Sequence, residues 1–310
     1  MRAAMICTNA SWTDTGLPIR AVVAGLQQLG LKVVPVSLGD WPIFSALPDV
    51  AFIWNGARGR RGQIASELRR RGVPVLIMER GFFDRLNHTQ IDHAGFNHTA
   101  SWAARISQVP PAAGVRRFAE LTRTIGRPIP TRRPDGDGDD AGKYILILGQ
   151  TPCDSQLHDS EIHHPDCLVS AIENTAPPGV ELRFRGHPMN DWRPDGTSRT
   201  KAVEGSLGEA LRAARFAITI NSNSGNDALL RGCSVLCLGP ALYGIAGVAV
   251  QTPLASLQRN IELMLNGWRP DFRRVLSYFH WLAARQWTAD ELACGEPLRD
   301  LLHQAGVTLE

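Results

Sequence analysis

The 310-residue chain contains no run of eighteen apolar residues, no low-complexity tract and no CxxC pair. The first absence argues against a membrane-spanning helix, the second against a disordered or fibrous chain. The third argues against a zinc ribbon, and the six cysteines (Cys7, Cys153, Cys167, Cys233, Cys237 and Cys294) are too scattered for a disulfide framework. Neither a GxxxxGK[ST] loop nor a GxGxxG element occurs, which disfavours a P-loop nucleotidase or a dinucleotide enzyme. The N-terminus has one early Arg2 and then a short apolar stretch instead of a signal peptide, so a soluble, cytoplasmic protein is expected. What remains is a globular composition, 44% hydrophobic and 20% charged, with a length that suits two domains.

The net charge of +3 is unevenly placed. Residues 1–142 carry 18 Lys and Arg against 12 Asp and Glu, while residues 143–310 carry 15 against 18. An excess of six positive charges in the front half suits an anionic partner there, although an Arg-rich surface without a partner has the same composition.

Near the midpoint, Pro128–Gly142 (PIPTRRPDGDGDDAG) lacks apolar periodicity and reads as a linker. Before it, apolar runs at Ala3–Cys7, Lys32–Val36, Val50–Trp54 and Pro74–Met78 predict strands. Helical patterns at Leu17–Leu29 and Ile64–Arg71 alternate with them. After it, strands are expected at Tyr144–Leu148, Glu181–Phe184, Ala217–Ile220 and Val235–Leu238, with helices near Cys167–Asn174 and Leu207–Ala214. The fold class this predicts is α/β: two Rossmann-like domains facing a cleft, 1–127 and 143–271. The tail, 272–310, reads as closing helices that cross back to the first domain.

Ligands in such sheets bind beyond the carboxyl ends of the strands. Three loops of the second half lie there. The first is Gly149–Gln156, with Gln150, Asp154, Ser155 and Gln156; the second is Arg185-Gly186-His187-Pro188; the third is Asn221–Asp227, with Ser222, Asn223, Ser224 and Gly225. Small hydroxyl residues and Gly before a helix offer N–H and O–H donors to a phosphate, though Ser222 or Ser224 serves equally well as a helix N-cap. His187 can donate to the same oxygens or protonate a leaving group.

At these residues the chain resembles the capsule polysaccharide synthesis family, which includes Kdo transferases that use a CMP-activated sugar. The resemblance lies in Asp154-Ser155-Gln156, His187-Pro188, the run from Asn221 to Gly232, and Leu238-Gly239-Pro240-Ala241-Leu242-Tyr243. In the first half it lies in Glu79-Arg80-Gly81-Phe82-Phe83, Thr89-Gln90-Ile91-Asp92 and Gly95-Phe96-Asn97, with Phe96 where the family usually has Val. It implies a GT-B glycosyltransferase with the acceptor on the first domain and the nucleotide-sugar donor on the second. It also implies donor-phosphate contacts from His187-Pro188 and Ser222/Ser224, and a ribose contact from Asp227, where the family has Glu. No cofactor is expected beyond the nucleotide-sugar co-substrate.

Glycosyl transfer calls for a carboxylate that takes the acceptor proton. Asp92, in a His- and Asn-rich loop matching the family's acidic position, is the first candidate; Glu79 is the second, with an ion pair to Arg80 or Arg85 as its alternative role. Neither the His88, His93, His98 series nor the Cys153, His158, His163, His164, Cys167 group has standard ligand spacing, so no metal is expected. Arg58, Arg60 and Arg61, on a Gly-containing loop after the third strand, suit an anionic acceptor, with His88 and Gln90 beside them. Two acceptors fit, an anionic glycan and DNA bearing a hydroxymethylated pyrimidine. In the DNA case Trp54, Phe82 or Phe83 would fill the gap of a flipped base. A nucleotide- or sugar-binding protein without chemistry is the reading from another class.

Overall fold

A computed structural model describes residues 1–40, 46–55, 59–125, 142–151, 154–187 and 199–309. In chain order the elements are β1 (Arg2–Cys7), α1 (Asn9–Thr13), α2 (Ile19–Gln28), β2 (Lys32–Ser37), β3 (Val50–Trp54), α3 (Gly59–Arg70), β4 (Val75–Arg80), β5 (His88–Asp92) and α4 (Ala112–Thr124). There follow β6 (Tyr144–Leu148), α5 (Pro165–Thr175), β7 (Glu181–Arg185), β8 (Thr200–Ala202), α6 (Leu207–Ala213), β9 (Ala214–Thr219), α7 (Ser224–Leu230), β10 (Val235–Cys237), β11 (Val250–Gln251) and α8 (Leu257–Leu265). The chain ends with α9 (Phe272–Ala283), β12 (Trp287–Thr288), α10 (Ala289–Ala293) and α11 (Glu296–Gln304).

Two compact units result. One comprises Met1–Ile106, Pro111–Leu121 and Trp281–Glu310, the other Ser107–Pro110 and Thr122–His280. The segment expected to close the fold, 272–310, is thus divided within α9. The expected linker, apart from Gly142, lies outside the described residues.

The first unit is a sheet of order β12-β5-β4-β3-β1-β2. Strands β2, β1, β3 and β4 are parallel, β5 runs antiparallel to β4, and β12 antiparallel to β5. Both faces are covered, so the central strands are apolar throughout, as in buried parallel sheets. On β1, Ala3, Met5 and Cys7 face one cluster with α2 and the leucines of α10 and α11; Ala4 and Ile6 face another with Ile64, Ala65 and Leu68 of α3. The tail packs closely: a Cβ on Gly25 of α2 would stand 2.0 Å from the Leu292 carbonyl oxygen, so only glycine permits this approach. Leu292, Leu298, Leu301 and Leu302 are all buried. At about 1.5–3 kcal/mol for each such side chain, the tail contributes as much as the whole stability of a typical domain.

The second unit is an all-parallel sheet of order β11-β10-β9-β6-β7-β8. Its core gathers Ile145 and Ile147 of β6, Phe184 of β7, Phe216 and Ile218 of β9, Leu168 and Ile172 of α5, and Ile261 of α8. The expected alternation holds, with boundaries shifted by a few residues. Two expectations are corrected. The His- and Asn-rich segment around Asp92 is a strand, β5, whose polar residues hid it; and the tail is not continuously helical, because Trp287–Thr288 adds a strand to the sheet.

Candidate functional site

In the second unit, β9, β6 and β7 are neighbours and parallel, so the three expected loops leave one edge of the sheet side by side. The loops are joined before any ligand is considered. Gly149 N–H donates to the Arg185 carbonyl (2.8 Å), and a Cβ on Gly149 would meet the Phe184 ring at 2.7 Å. Gln150, buried, donates through Nε2 to Asn221 Oδ1 (2.9 Å) and to Asp154 Oδ2 (3.3 Å), and its Oε1 accepts from Asn221 N–H (3.4 Å). Asn221 Nδ2 in turn donates to the Gln156 carbonyl (2.6 Å), while Asp154 Oδ1 accepts from Gln156 N–H (3.0 Å). Gln150 therefore locks the first loop to the third, a different task from the donor contact expected of it.

The third loop rests on two buried tyrosines. Tyr243 Oη donates to the Ser222 carbonyl (2.8 Å), and its ring lies under Gly225, where a Cβ would come within 2.4 Å. Tyr278 Oη, from α9, donates to Asn226 Oδ1 (2.6 Å), and Asn226 Nδ2 donates to Asn223 Oδ1 (3.0 Å). Burial pushes both phenols well above their ordinary value of 10.0. Ser222 Oγ lies 3.3 Å from Ser224 Oγ and accepts from Ser224 N–H (3.3 Å), which makes Ser222 part of the helix start. Asn223, the N-cap residue of α7, makes no side-chain cap bond.

Other donor-side expectations fall around this edge. Arg185 donates to the Gly205 carbonyl (2.6 Å), and His187 is half-buried just beyond β7. Asp227 pairs with Arg231 (3.2 Å), one helical turn on, which competes with the ribose contact expected of it. Only the backbone of Ser155 is described, in a short 3-10 turn, and Pro188 lies outside the described residues.

In the first unit the two carboxylate candidates separate. Glu79 is the penultimate residue of β4, at the carboxyl end of the parallel strands, and its Oε1 accepts from Arg80 N–H (2.8 Å). Arg80 lies over the Trp54 ring, 5.8 Å from its centroid, and donates to the carbonyls of Gly16 and Leu86 (3.0 Å each). Asp92 pairs with Ile77, whereas Gln90 pairs with Glu79, so Asp92 lies two residues further from that strand end. It is buried, and its oxygens accept from Ala94 N–H (2.8 Å), Gly95 N–H (3.2 Å), Ser101 N–H (2.9 Å) and Ser101 Oγ (2.6 Å). Such a carboxylate organises a turn, and a base would have to surrender those bonds.

Of the acceptor-side candidates, Gln90 is buried and donates to the Arg80 carbonyl (2.9 Å), and His88 Nδ1 lies 3.3 Å from the Asp84 carbonyl oxygen. Arg60 is exposed at the start of α3. Arg61 is half-buried close enough to Cys7 to offset part of the upward shift that burial gives the thiol, and its Nε is buried without a hydrogen-bond partner. Arg58 lies outside the described residues. Among the described residues no three His, Cys, Asp or Glu side chains cluster as a metal site, and no helix is long and apolar enough to cross a membrane.

Sequence reasoning missed Tyr278 and Gln286, and gave Asn226, within the third loop, no role of its own. Nothing in the linear pattern marks the two that were missed, because their partners lie 52 residues away for Tyr278 and more than 200 for Gln286.

Two α/β units, each built on a mostly parallel sheet, define the class: a GT-B type fold. Two solved structures of KpsC from Thermosulfurimonas dismutans resemble it. The β-Kdo 2,4 transferase has a TM-score of 0.59 at 17% identity, over 93% of this chain and 92% of that one. The β-Kdo 2,7 transferase has 0.58 at 16%, over 90% and 89%. Residues 136–266 match the family of capsule polysaccharide biosynthesis proteins, which bears out the resemblance read from the motifs. Protein FixF of Sinorhizobium fredii (strain NBRC 101917 / NGR234) is 28% identical over 252 residues, 75% of this chain; the alignment spans 59% of that relative. The chain is thus glycosyltransferase-like in fold and capsule-synthesis-like in sequence.

Proposed function

We propose that the protein is a glycosyltransferase that moves a sugar from a nucleotide-activated donor, CMP- or UDP-linked, to a hydroxyl of an anionic capsule-type glycan. The observation that carries this reading is the cross-linked edge of β9, β6 and β7, which holds His187, Ser222 and Ser224 within the segment matching the capsule family. As the glycosidic bond to the donor phosphate breaks, negative charge grows on the phosphate oxygens. Donors already held in place stabilise that charge without reorganising. Ser222 and Ser224 supply hydroxyls there, and His187 supplies an N–H or a proton.

The base is Glu79. Its strand end carries Arg80 beside it, and Arg61 adds positive charge near the end of β1, on the far side of β3, for an acidic acceptor. Asp92 is left as the organiser of the turn after β5. The KpsC neighbours are named for Kdo transfer, which makes CMP-Kdo the first donor to try.

A thermal-shift panel of CMP, UDP, GDP and dTDP identifies the nucleotide, since a ligand at a hundred times its Kd adds about 2.7 kcal/mol. Transfer from the matching sugar nucleotide is then compared between an acidic oligosaccharide and duplex DNA containing hydroxymethylcytosine. Labelled glycan with unlabelled DNA supports the reading. Labelled DNA with unlabelled glycan overturns its acceptor, and nucleotide binding without transfer to either overturns the activity.

A further inference from the structure

Gln286 lies in the short turn between α9 and β12 and is fully buried, a rare place for an amide. Its side chain is spent on one stretch of backbone. Oε1 accepts from the N–H groups of Phe82 (2.8 Å) and Phe83 (3.0 Å), and Nε2 donates to the Phe83 carbonyl (3.2 Å). The donors and acceptor it bonds belong to the chain just after Glu79 and Arg80, beyond the end of β4. Gly81 is shaped to this contact: a Cβ there would stand 3.0 Å from Gln286 Oε1 and 2.7 Å from His88 Cβ.

The backbone of Gln286 is itself held. Arg117 of α4 donates to the Gln286 carbonyl (2.7 Å) and to Glu291 Oε2 (2.6 Å), and Glu291 closes a capping box with Thr288 at the start of α10. The residues that Gln286 grips are flanked by rings. Phe82 meets Trp102 edge-on at 5.9 Å, Trp102 stacks on Trp281 at 6.1 Å, and Phe83 lies against Phe118 at 5.7 Å. Every contact in this set lies within the first unit.

We infer that Gln286 is a positioning residue for Glu79: by fixing the backbone of Phe82 and Phe83 it sets the course of the strand end from which the Glu79 carboxylate projects. The inference rests on the reading of Glu79 as the base. Gln286 touches no reacting atom, and its effect passes through the peptide units of Arg80 to Phe83. An apolar replacement removes all three bonds to this backbone, and a buried peptide group that loses a bond favours a shift of the segment.

The test uses the full chain, with CMP-Kdo as donor and an acidic oligosaccharide ending in Kdo as acceptor. Gln286→Met keeps the volume and removes all three bonds; Gln286→Glu keeps the acceptor for Phe82 and Phe83. The expected result for Gln286→Met is a kcat at least tenfold lower, a donor KM within twofold of wild type, and a displaced ascending limb of the kcat–pH profile. Gln286→Glu is expected to recover part of the rate, and it carries the test by itself if the Met variant does not fold. A folded variant with unchanged kcat overturns the inference, and so does a rate loss that only follows the folded fraction with the pH limb unmoved. Glu79→Gln is run in parallel. If it is inactive while Gln286→Met is normal, the positioning role alone falls; if Glu79→Gln transfers normally, the reading of the base falls with it.

Discussion

The carboxyl-end edges of the two sheets both carry polar residues, yet they are braced in different ways. In the second unit the bracing comes largely from the loops themselves. Gln150 and Asn221 bond across neighbouring strands, and Asp154 caps its own turn. In the first unit the edge at Glu79 depends on a residue 204 positions beyond the loop it holds. The contrast follows from topology. Three adjacent parallel strands place consecutive loops side by side, so short side chains suffice to join them. The sheet of the first unit instead turns antiparallel at β5, and its edge is closed by β12 from the end of the chain.

The sharpest way to break the comparison is at the two chemical groups. Glu79→Gln is expected to lower transfer by at least about a thousandfold while nucleotide binding, measured by thermal shift, is retained, because the role proposed for it is proton removal from the acceptor. On the donor side, His187→Ala, and separately Ser222→Ala with Ser224→Ala, should each cost about a hundredfold in transfer, the usual loss when a donor to developing charge is removed. Wild-type turnover in the serine pair would reduce those hydroxyls to helix capping.

Asp92→Ala tests the division of labour in the first unit. It strands three backbone N–H groups, so denaturant unfolding should show about 3 kcal/mol of lost stability, while molecules that remain folded keep most of their turnover. A folded, stable Asp92→Ala protein without activity would return the base to Asp92. In the second unit, Gly225→Ala drives a methyl into the Tyr243 ring and is expected to cost about 1–3 kcal/mol and to raise the donor KM.

The smallest effects concern the tyrosines. Tyr278→Phe leaves Asn226 Oδ1 without its donor and should cost about 1–2 kcal/mol, with a donor KM several-fold higher. Both buried phenols titrate well above 10.0 in the fold, whereas the unfolded chain ionises them near that value. Above it the native state binds more protons than the unfolded one, so stability falls as pH rises; below it these groups leave stability unchanged. Unfolding free energies measured between pH 8 and 11 should show the decline, shallower in Tyr278→Phe.

Much of the fold was readable in the order of residues. Strands β3 and β6 are continuous apolar runs and β1 and β4 are apolar but for their ends, and such runs, flanked by helical patterns, have few places to go except a covered parallel sheet. The three loops of the second unit were placed side by side for the same reason, since they follow the ends of neighbouring parallel strands. Strand β5 escaped notice because HTQID carries one aliphatic residue in five, and its pairing with β4 and β12 supplies what its composition does not.

The site divides along the same line. Which residue types the chain brings to a strand end is a matter of short-range sequence: His187 after β7, Ser222 and Ser224 after β9, Glu79 at the end of β4. Which of them is committed to holding a turn is decided by hydrogen bonds that the residue types do not announce, even where, as at Asp92, the donors lie within nine residues. Asp92 and Glu79 are both carboxylates in family-like motifs, and only the folded chain gives Asp92 four donors of its own. Tyr278 and Gln286 lie in the last tenth or so of the chain and carry no local signal. Their importance comes from the cost of leaving a buried amide or peptide group unbonded, a cost that exists only once the tertiary structure has removed water from around it.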